Sequence, residues 1–299
     1  MADAFIIETA ELRKRYDEVE ALRGVNLQVP VGSICGFLGR NGAGKTTTIK
    51  VLLGMARPTS GVARVFGLAA DTSDGSLEIR RRTGFVSDDK DLYGYMTVGE
   101  MIRFTAAFFP RWRQDLEQRY IHKFELPVDR KVKALSRGMR TKLALLLALC
   151  HGAELLILDE PTSGLDPAMT EEVLKALVAH VASEATTVFF SSHQIAEIDQ
   201  IADRVAIIHR GRIVVAGALD DLRENFRRIQ LVFEGDAPEP VFRAPGVERV
   251  WRKGRVLTVL SSAGSNGVIG EARALNAISM DVVPVTLKEI FLETVTAED

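Results

Sequence analysis

The stretch VGSICGFLGRNGAGKTTTIKVLLGM, Val31 to Met55, decides the fold. It opens as a β-rich run ending in glycine and closes as KTTTIKVLLGM, which reads as a helix. Between the two, Gly39 to Thr46 spell GRNGAGKT, the phosphate-binding loop pattern in the strand, loop and helix setting that the pattern requires. Gly39, Gly42 and Gly44 let the backbone through Arg40, Asn41 and Ala43 curl so that its N–H groups point inward, and the following helix adds its positive N-terminal end. Lys45 is then placed to reach β- and γ-phosphates, Thr46 to offer its hydroxyl to Mg²⁺, and Thr47 to continue the cradle.

Downstream, ELLILDEP has the pattern of a fully buried strand that delivers two acids, Asp159 and Glu160, at its C-terminal end. Ligands of α/β sheets sit at such strand ends. Asp159 is a candidate holder of Mg²⁺ and Glu160 a candidate to polarise the water attacking a γ-phosphate, although two acids after a strand could also cap the next helix. Around these landmarks strand-like runs (RTGFVS, TTVFFSS) alternate with helical ones (TEEVLKALVAHVASEA, IAEIDQIAD), which argues for an α/β sheet. A helix-rich insertion is expected at about residues 89–150, with Tyr93 to Leu126 mostly helical, and RVAIIHRGRIVVAG reads as a hairpin turning at Arg210 and Gly211. From about residue 218 the pattern changes to a small α+β arrangement, with strand patterns in RRIQLVFEG, RVWRKGRVLTVLSS and MDVVPV and helices in NGVIGEARALNAI and TLKEIFLETV. The expected division is therefore 1–217 and 218–299.

The 299 residues suffice to bury roughly three quarters of the unfolded surface. With 46% hydrophobic and 26% charged residues, and 38 Lys plus Arg against 40 Asp plus Glu, the net charge is −2. That excludes a disordered chain and a basic nucleic-acid coat. Two cysteines, Cys35 and Cys150, are too few for a disulfide framework, which favours a reducing setting. The most apolar run, Leu143 to Cys150, is far short of the roughly 20 residues that span a bilayer. The opening MADAFIIETAELRKRYDE carries acids where a signal peptide has a basic patch, so a cytoplasmic chain is expected.

Three further motifs complete the pattern: LSRGM at Leu135 to Met139, SGLD at Ser163 to Asp166, and SSH ending at His193. In this order, with the phosphate loop and ELLILDEP, they resemble the signature, D-loop and switch-histidine motifs of ABC-type ATPases over about residues 5–217. The resemblance implies a P-loop ABC-type α/β core with a helical subdomain. It implies two copies facing head to tail, each ATP held between the phosphate loop of one and the signature of the other. Ser136 and the N–H of Gly138 open an apolar helix, a start suited to a partner's γ-phosphate and equally to plain capping. His193 is implied as a γ-phosphate sensor, and Asp166 as a residue crossing to the opposite site that also suits a cap before Pro167. Tyr16 falls where the family supplies a ring to stack on adenine; the alternative is an exposed hairpin tyrosine.

The sequence departs from the family in two places. Asp88 stands where the family usually has a Gln that contacts Mg²⁺, adding a negative charge beside the γ-phosphate, and Asp89 leaves that alignment open by one residue. In the signature, Arg137 and Met139 replace the usual Gly and Gln. Arg80, Arg81 and Arg82 read as a solvated face at a helix end, and Tyr93, Tyr95, Phe108 and Phe109 as an aromatic exposure that docks a partner helix. His122, His151, His180 and His209 lack metal-ligand spacing.

The resemblance thus implies an ATP- and Mg²⁺-dependent subunit, on the inner face of the membrane, paired as a homodimer or heterodimer and bound to a separate permease. TLKEIFLETV resembles the closing helix of exporter ATPases, and LSRGMRTKLALLLAL with the missing Gln resembles the YtrB-like branch. Two competing readings are a mechanical or regulatory ABC ATPase on ribosomes or DNA, and a degenerate ATP-binding partner. The single phosphate loop, the absence of a heptad run and a pI near 6.3 speak against the first and against a nucleic-acid partner. Glu160 and His193 speak against the second.

Overall fold

A computed structural model describes residues 5–239, 242–262 and 265–296, so the first four residues of the opening segment lie outside it. The chain divides into two compact units, Met1–Ile213 and Val214–Asp299.

The first unit begins with two long antiparallel strands, β1 (Phe5–Tyr16) and β2 (Val19–Pro30), joined by a tight turn in which Asp17 takes a positive φ of 47°. Then come β3 (Ile34–Leu38), α1 (Lys45–Leu52), β4 (Ser60–Val65), β5 (Leu68–Ala69), α2 (Ser73–Arg82) and β6 (Thr83–Val86). The insertion supplies α3 (Val98–Ala106), α4 (Gln114–Lys123) and α5 (Arg137–Leu149). After it follow β7 (Leu155–Leu158), α6 (Pro167–Glu184), β8 (Thr187–Ser192), α7 (Ile195–Ile201), β9 (Arg204–His209) and β10 (Arg212–Ala218).

One sheet has the order β2-β1-β4-β5 and is antiparallel in β1, β2, β4 and β5. The other runs β10-β9-β3-β8-β7-β6, with β9, β3, β8, β7 and β6 parallel. Strands β3, β7 and β8 are buried along their whole length, which is why ICGFL, LLIL and TVFFSS read as continuous runs without alternation. A single core joins Ile7 and Val25 of the antiparallel sheet to Phe37 of β3 and Ile49 and Leu52 of α1.

Register decides where the chemistry lies. Leu38 pairs with Ser192, Leu158 with Phe190 and Val86 with Leu158, so β3, β8, β7 and β6 end at one level in adjacent positions. The four segments leaving those ends are the phosphate loop, SSH, the Asp159–Glu160 pair and the Ser87–Lys90 loop. Residues far apart in sequence are thereby set side by side at the C-terminal edge of the sheet.

Several local expectations change. Tyr93 to Leu126 is mostly helical as expected, in α3 and α4, while the segment ahead of Thr97 is irregular. Thr97 starts α3 with a capping box to Glu100. The arginine run is only partly solvated: Arg80 donates to the Leu53 carbonyl at 2.9 Å, and Arg82 forks onto Glu154 at 2.9 and 2.7 Å. Phe109 packs on His151 instead of facing out, and Phe104 takes its place in an exposed ladder with Tyr95, Tyr93 and Phe108.

The second unit contains α8 (Leu219–Asn225), β11 (Arg227–Val232), β12 (Val247–Lys253), β13 (Val256–Ser261), α9 (Ser265–Arg273), β14 (Ser279–Pro284) and α10 (Leu287–Thr296). Its antiparallel sheet has the order β12-β13-β11-β14. RVWRKGRVLTVLSS, which reads as one strand pattern, is a hairpin that turns where Gly254 adopts φ 57°. The core of this unit includes Ile229, Leu231, Leu257, Val259 and Val268. No helix among the described residues is long and apolar enough to cross a membrane.

Candidate active site

The phosphate loop links β3 to α1, and two of its glycines are required by geometry. Gly44 caps α1 at φ 115°, where a Cβ would lie 2.9 Å from the Ala21 carbonyl oxygen. At Gly39 a Cβ would come within 2.7 Å of the Ile208 carbonyl oxygen. The loop borders a cleft of about 290 Å³ lined by Ala21, Arg40, Asn41, Gly42, Gly44, Lys45, Thr46, Thr47, Asp88 and Glu160. Gly39 and Ala43 are buried beneath it.

Lys45, buried at the start of α1, donates to the Gly39 carbonyl at 2.7 Å and to the Arg40 carbonyl at 3.4 Å. Its Nζ also lies 3.1 Å from Glu160 Oε1. The other carboxylate oxygen of Glu160, Oε2, is 2.7 Å from His193 Nδ1. An ionised carboxylate only accepts, so in that state the imidazole nitrogen donates. Glu160 Oε1 is buried and takes no hydrogen bond, so one acceptor is left facing the ammonium and the cleft. The residue itself adopts φ 48°, a left-handed conformation of the kind that non-glycine residues hold where surrounding contacts over-determine it.

Two side chains that sequence reading passed over hold this pair in place. Ser191, buried in β8, donates through Oγ to Asp159 Oδ1 at 2.6 Å and accepts from the Glu160 N–H at 3.0 Å. Lys90, at 7% exposure, donates through Nζ to the Asp88 carbonyl at 3.0 Å and the Glu160 carbonyl at 3.2 Å. Burial pushes its ammonium below the usual lysine range, opposed by Asp88, Asp159 and Glu160 and reinforced by Arg137. The clue to both lay in strand order, since β8 and β6 flank β7. For Ser191→Ala we expect a loss of about 1–3 kcal/mol in stability, because buried Asp159 and the Glu160 N–H each lose a partner. Chemical denaturation reads this out, and an unchanged midpoint contradicts the bridging role.

The other candidates lie away from the cleft lining. Ser136 is exposed and caps α5, accepting from the Met139 N–H at 3.2 Å. Gly138 is buried against the flexible tip of the Met169 side chain. Asp166 caps α6 by accepting from the Met169 N–H at 2.9 Å, with Pro167 in the first turn. Arg137 packs over Gly164 and donates to Ser163 Oγ at 3.3 Å, tying LSRGM to SGLD. Tyr16 ends β1 with its ring 43% exposed and Lys14 Nζ 4.6 Å from the ring centre.

Residues 22–163 match the ABC transporter family model. The chain is 35% identical over 296 residues to the bacitracin transport ATP-binding protein BcrA of Bacillus licheniformis, covering 96% of this chain and 95% of that one. The chain belongs to the ABC transporter ATP-binding protein family. The YtrB protein of Bacillus subtilis is 25% identical over 287 residues, 96% of this chain and 97% of its own, so the YtrB-like branch is one of several that this family member resembles. A solved ATP-binding subunit of an ABC transporter superposes with a TM-score of 0.66 at 28% identity, covering 73% of this chain and 92% of its own. As a member of that family the chain is an ATPase, the ATP-binding and ATP-hydrolysing subunit of a transporter.

Proposed function

We propose that the chain energises export through a separately encoded membrane permease, on the inner face of the membrane, with two ATPase copies closing head to tail on ATP. The observation that carries the reading is the single carboxylate of Glu160 with Lys45 at one oxygen and His193 at the other. Export is favoured by the end-to-end likeness to a bacitracin transport protein.

In this reading Lys45 binds the β- and γ-phosphates within the loop from Gly39 to Thr47. Glu160 accepts the proton of the attacking water at Oε1, while His193 holds the carboxylate through Oε2. Ser136 and Gly138, at the start of α5, receive the γ-phosphate of the ATP held by the other copy, and Asp166 shapes that opposite site. Tyr16 stacks on adenine, a contact of about 1–3 kcal/mol by analogy with base stacking elsewhere. The exposed ladder of Tyr95, Tyr93, Phe104 and Phe108 receives the permease. We assign residues 1–217 to the ATPase domain, with its helical subdomain at about 89–150, and 218–299 to an accessory domain.

The oxygen donors suit Mg²⁺: Thr46 and Asp88 border the cleft, and Asp159 is oriented behind it by Ser191. Thr46, Asp88 and Asp159 would hold the ion together with the phosphates, whose charge it neutralises when bound. Because Asp88 brings a carboxylate where a neutral amide is usual, Asp88→Gln is expected to make ATP turnover less steeply dependent on Mg²⁺ concentration. Titration of steady-state ATPase activity with Mg²⁺ measures this, and superimposable curves would remove Asp88 from the ion's surroundings.

The transporter assignment is tested by tagging the full chain in its native host, solubilising membranes gently and identifying co-purifying proteins by mass spectrometry. A polytopic membrane protein in comparable amount is the expected result. Recovery with ribosomes or DNA-associated proteins instead would favour the mechanical ATPase.

A further inference from the structure

The loop that leaves β6 contains a lysine that the ATPase motifs do not use. Lys90 buries its ammonium against two main-chain carbonyls, those of Asp88 and Glu160, with Asp88 Oδ1 4.0 Å away. Its own backbone is left-handed, at φ 49°, and its N–H returns to Ser87, to the carbonyl at 3.3 Å and to Oγ at 3.2 Å. The residue it touches, Glu160, is left-handed as well. Two unfavourable backbone conformations therefore meet at one charge-assisted hydrogen bond.

Consider what fixes the backbone on either side of the Glu160 Cα. Ser191 Oγ receives its N–H from the β8 side, and Lys90 Nζ reaches its carbonyl from the β6 side. The only other donor to that carbonyl among the described backbone contacts is the Ser163 N–H at 3.1 Å, from the next turn of the same loop. Rotation about the backbone bonds that flank this Cα moves the carboxylate that Lys45 and His193 bracket, so the carbonyl contact acts on the direction of the side chain. A buried ammonium carries a desolvation cost, offset here by the carbonyls and by the negative charges of Asp88, Asp159 and Glu160. Arg137 adds a charge of the same sign nearby.

We propose that Lys90 is a positioning residue for ATP hydrolysis, whose buried ammonium locks the backbone of Glu160 and so ties the loop after β6 to the aim of the general base. A cation two residues after Asp88 thus links the loop to the base through the Glu160 carbonyl. The inference rests on Glu160 being the base, which Glu160→Gln alone tests separately.

The experiment is a double-mutant cycle on the full chain with ATP and Mg²⁺, reading kcat, KM and nucleotide affinity by calorimetry. Lys90→Met, which keeps length and removes the donor, should lower kcat by about 10- to 100-fold, the scale of a misplaced catalytic group. KM and ATP affinity should stay within about twofold, because the contact serves the chemical step rather than binding. Lys90→Arg, which retains a cationic donor, should recover most of the loss. In the Glu160→Gln background the same Lys90→Met change should alter the residual single-turnover rate by less than about twofold, since the group it positions is gone. A full multiplicative loss in that background, an unchanged kcat in Lys90→Met, or a loss confined to KM would each overturn the proposal. Thermal unfolding accompanies every variant, and if Lys90→Met does not fold, Lys90→Leu, which also lacks a donor, enters the cycle with the same expected and contrary outcomes.

Discussion

Glu160→Gln is expected to lower ATP turnover by roughly 10² to 10⁴-fold, the range for loss of a general base, while ATP binding persists. Gln keeps the size of the side chain and an oxygen that can accept from His193, so the walls of the cleft are preserved. It removes the carboxylate that takes the proton of water. Loss of one negative charge beside the phosphates also favours retention of nucleotide, so slow turnover should come with tighter ATP binding and a longer-lived closed pair of copies. Phosphate release and calorimetry on one preparation separate the two effects. Turnover equal to that of the unaltered chain would remove Glu160 from the role.

The second large effect is expected at Lys45. Its ammonium stands between the loop carbonyls and Glu160 and is the buried cation that borders the cleft. Charge-assisted hydrogen bonds contribute about 1.5–3 kcal/mol each, so Lys45→Ala should weaken ATP binding by at least about 10²-fold where more than one phosphate oxygen is engaged. The carboxylate of Glu160 adds to the loss, since without the ammonium it faces the phosphates as an unscreened like charge. Calorimetry with ATP and Mg²⁺ gives the affinity directly. An affinity near that of the unaltered chain contradicts the placement of the phosphates.

These two predictions depend on residues legible from sequence, because each lies in a short contiguous motif next to an unmistakable strand. GRNGAGKT and ELLILDEP announce both their chemistry and their position at strand ends. What holds them was not legible. Ser191 bonds to residues about thirty positions earlier and Lys90 to one seventy positions later, at distances fixed only by the order β8-β7-β6. Charge was a poor guide for the same reason. Arg80 and Arg82 read as a surface run and Lys90 was not singled out, yet all three find carbonyl or carboxylate partners across the fold. The left-handed backbone of Glu160 carries no sequence signal, since such a conformation ordinarily appears at Gly or Asn. In the helical insertion the aromatic residues were visible but their facing was not: Phe109, read as exposed, packs on His151, and Phe104, which the sequence did not single out, joins the exposed ladder.

A structure of the Glu160→Gln full chain with ATP and Mg²⁺ decides whether one carboxylate shared by Lys45 and His193 activates water for attack on ATP. The γ-phosphate is expected within hydrogen-bond distance of Lys45 Nζ, with the start of α5 of a second copy closing over it and an ordered water between the phosphate and the side chain at position 160. A γ-phosphate bound away from Lys45, with no solvent beside position 160, would contradict it.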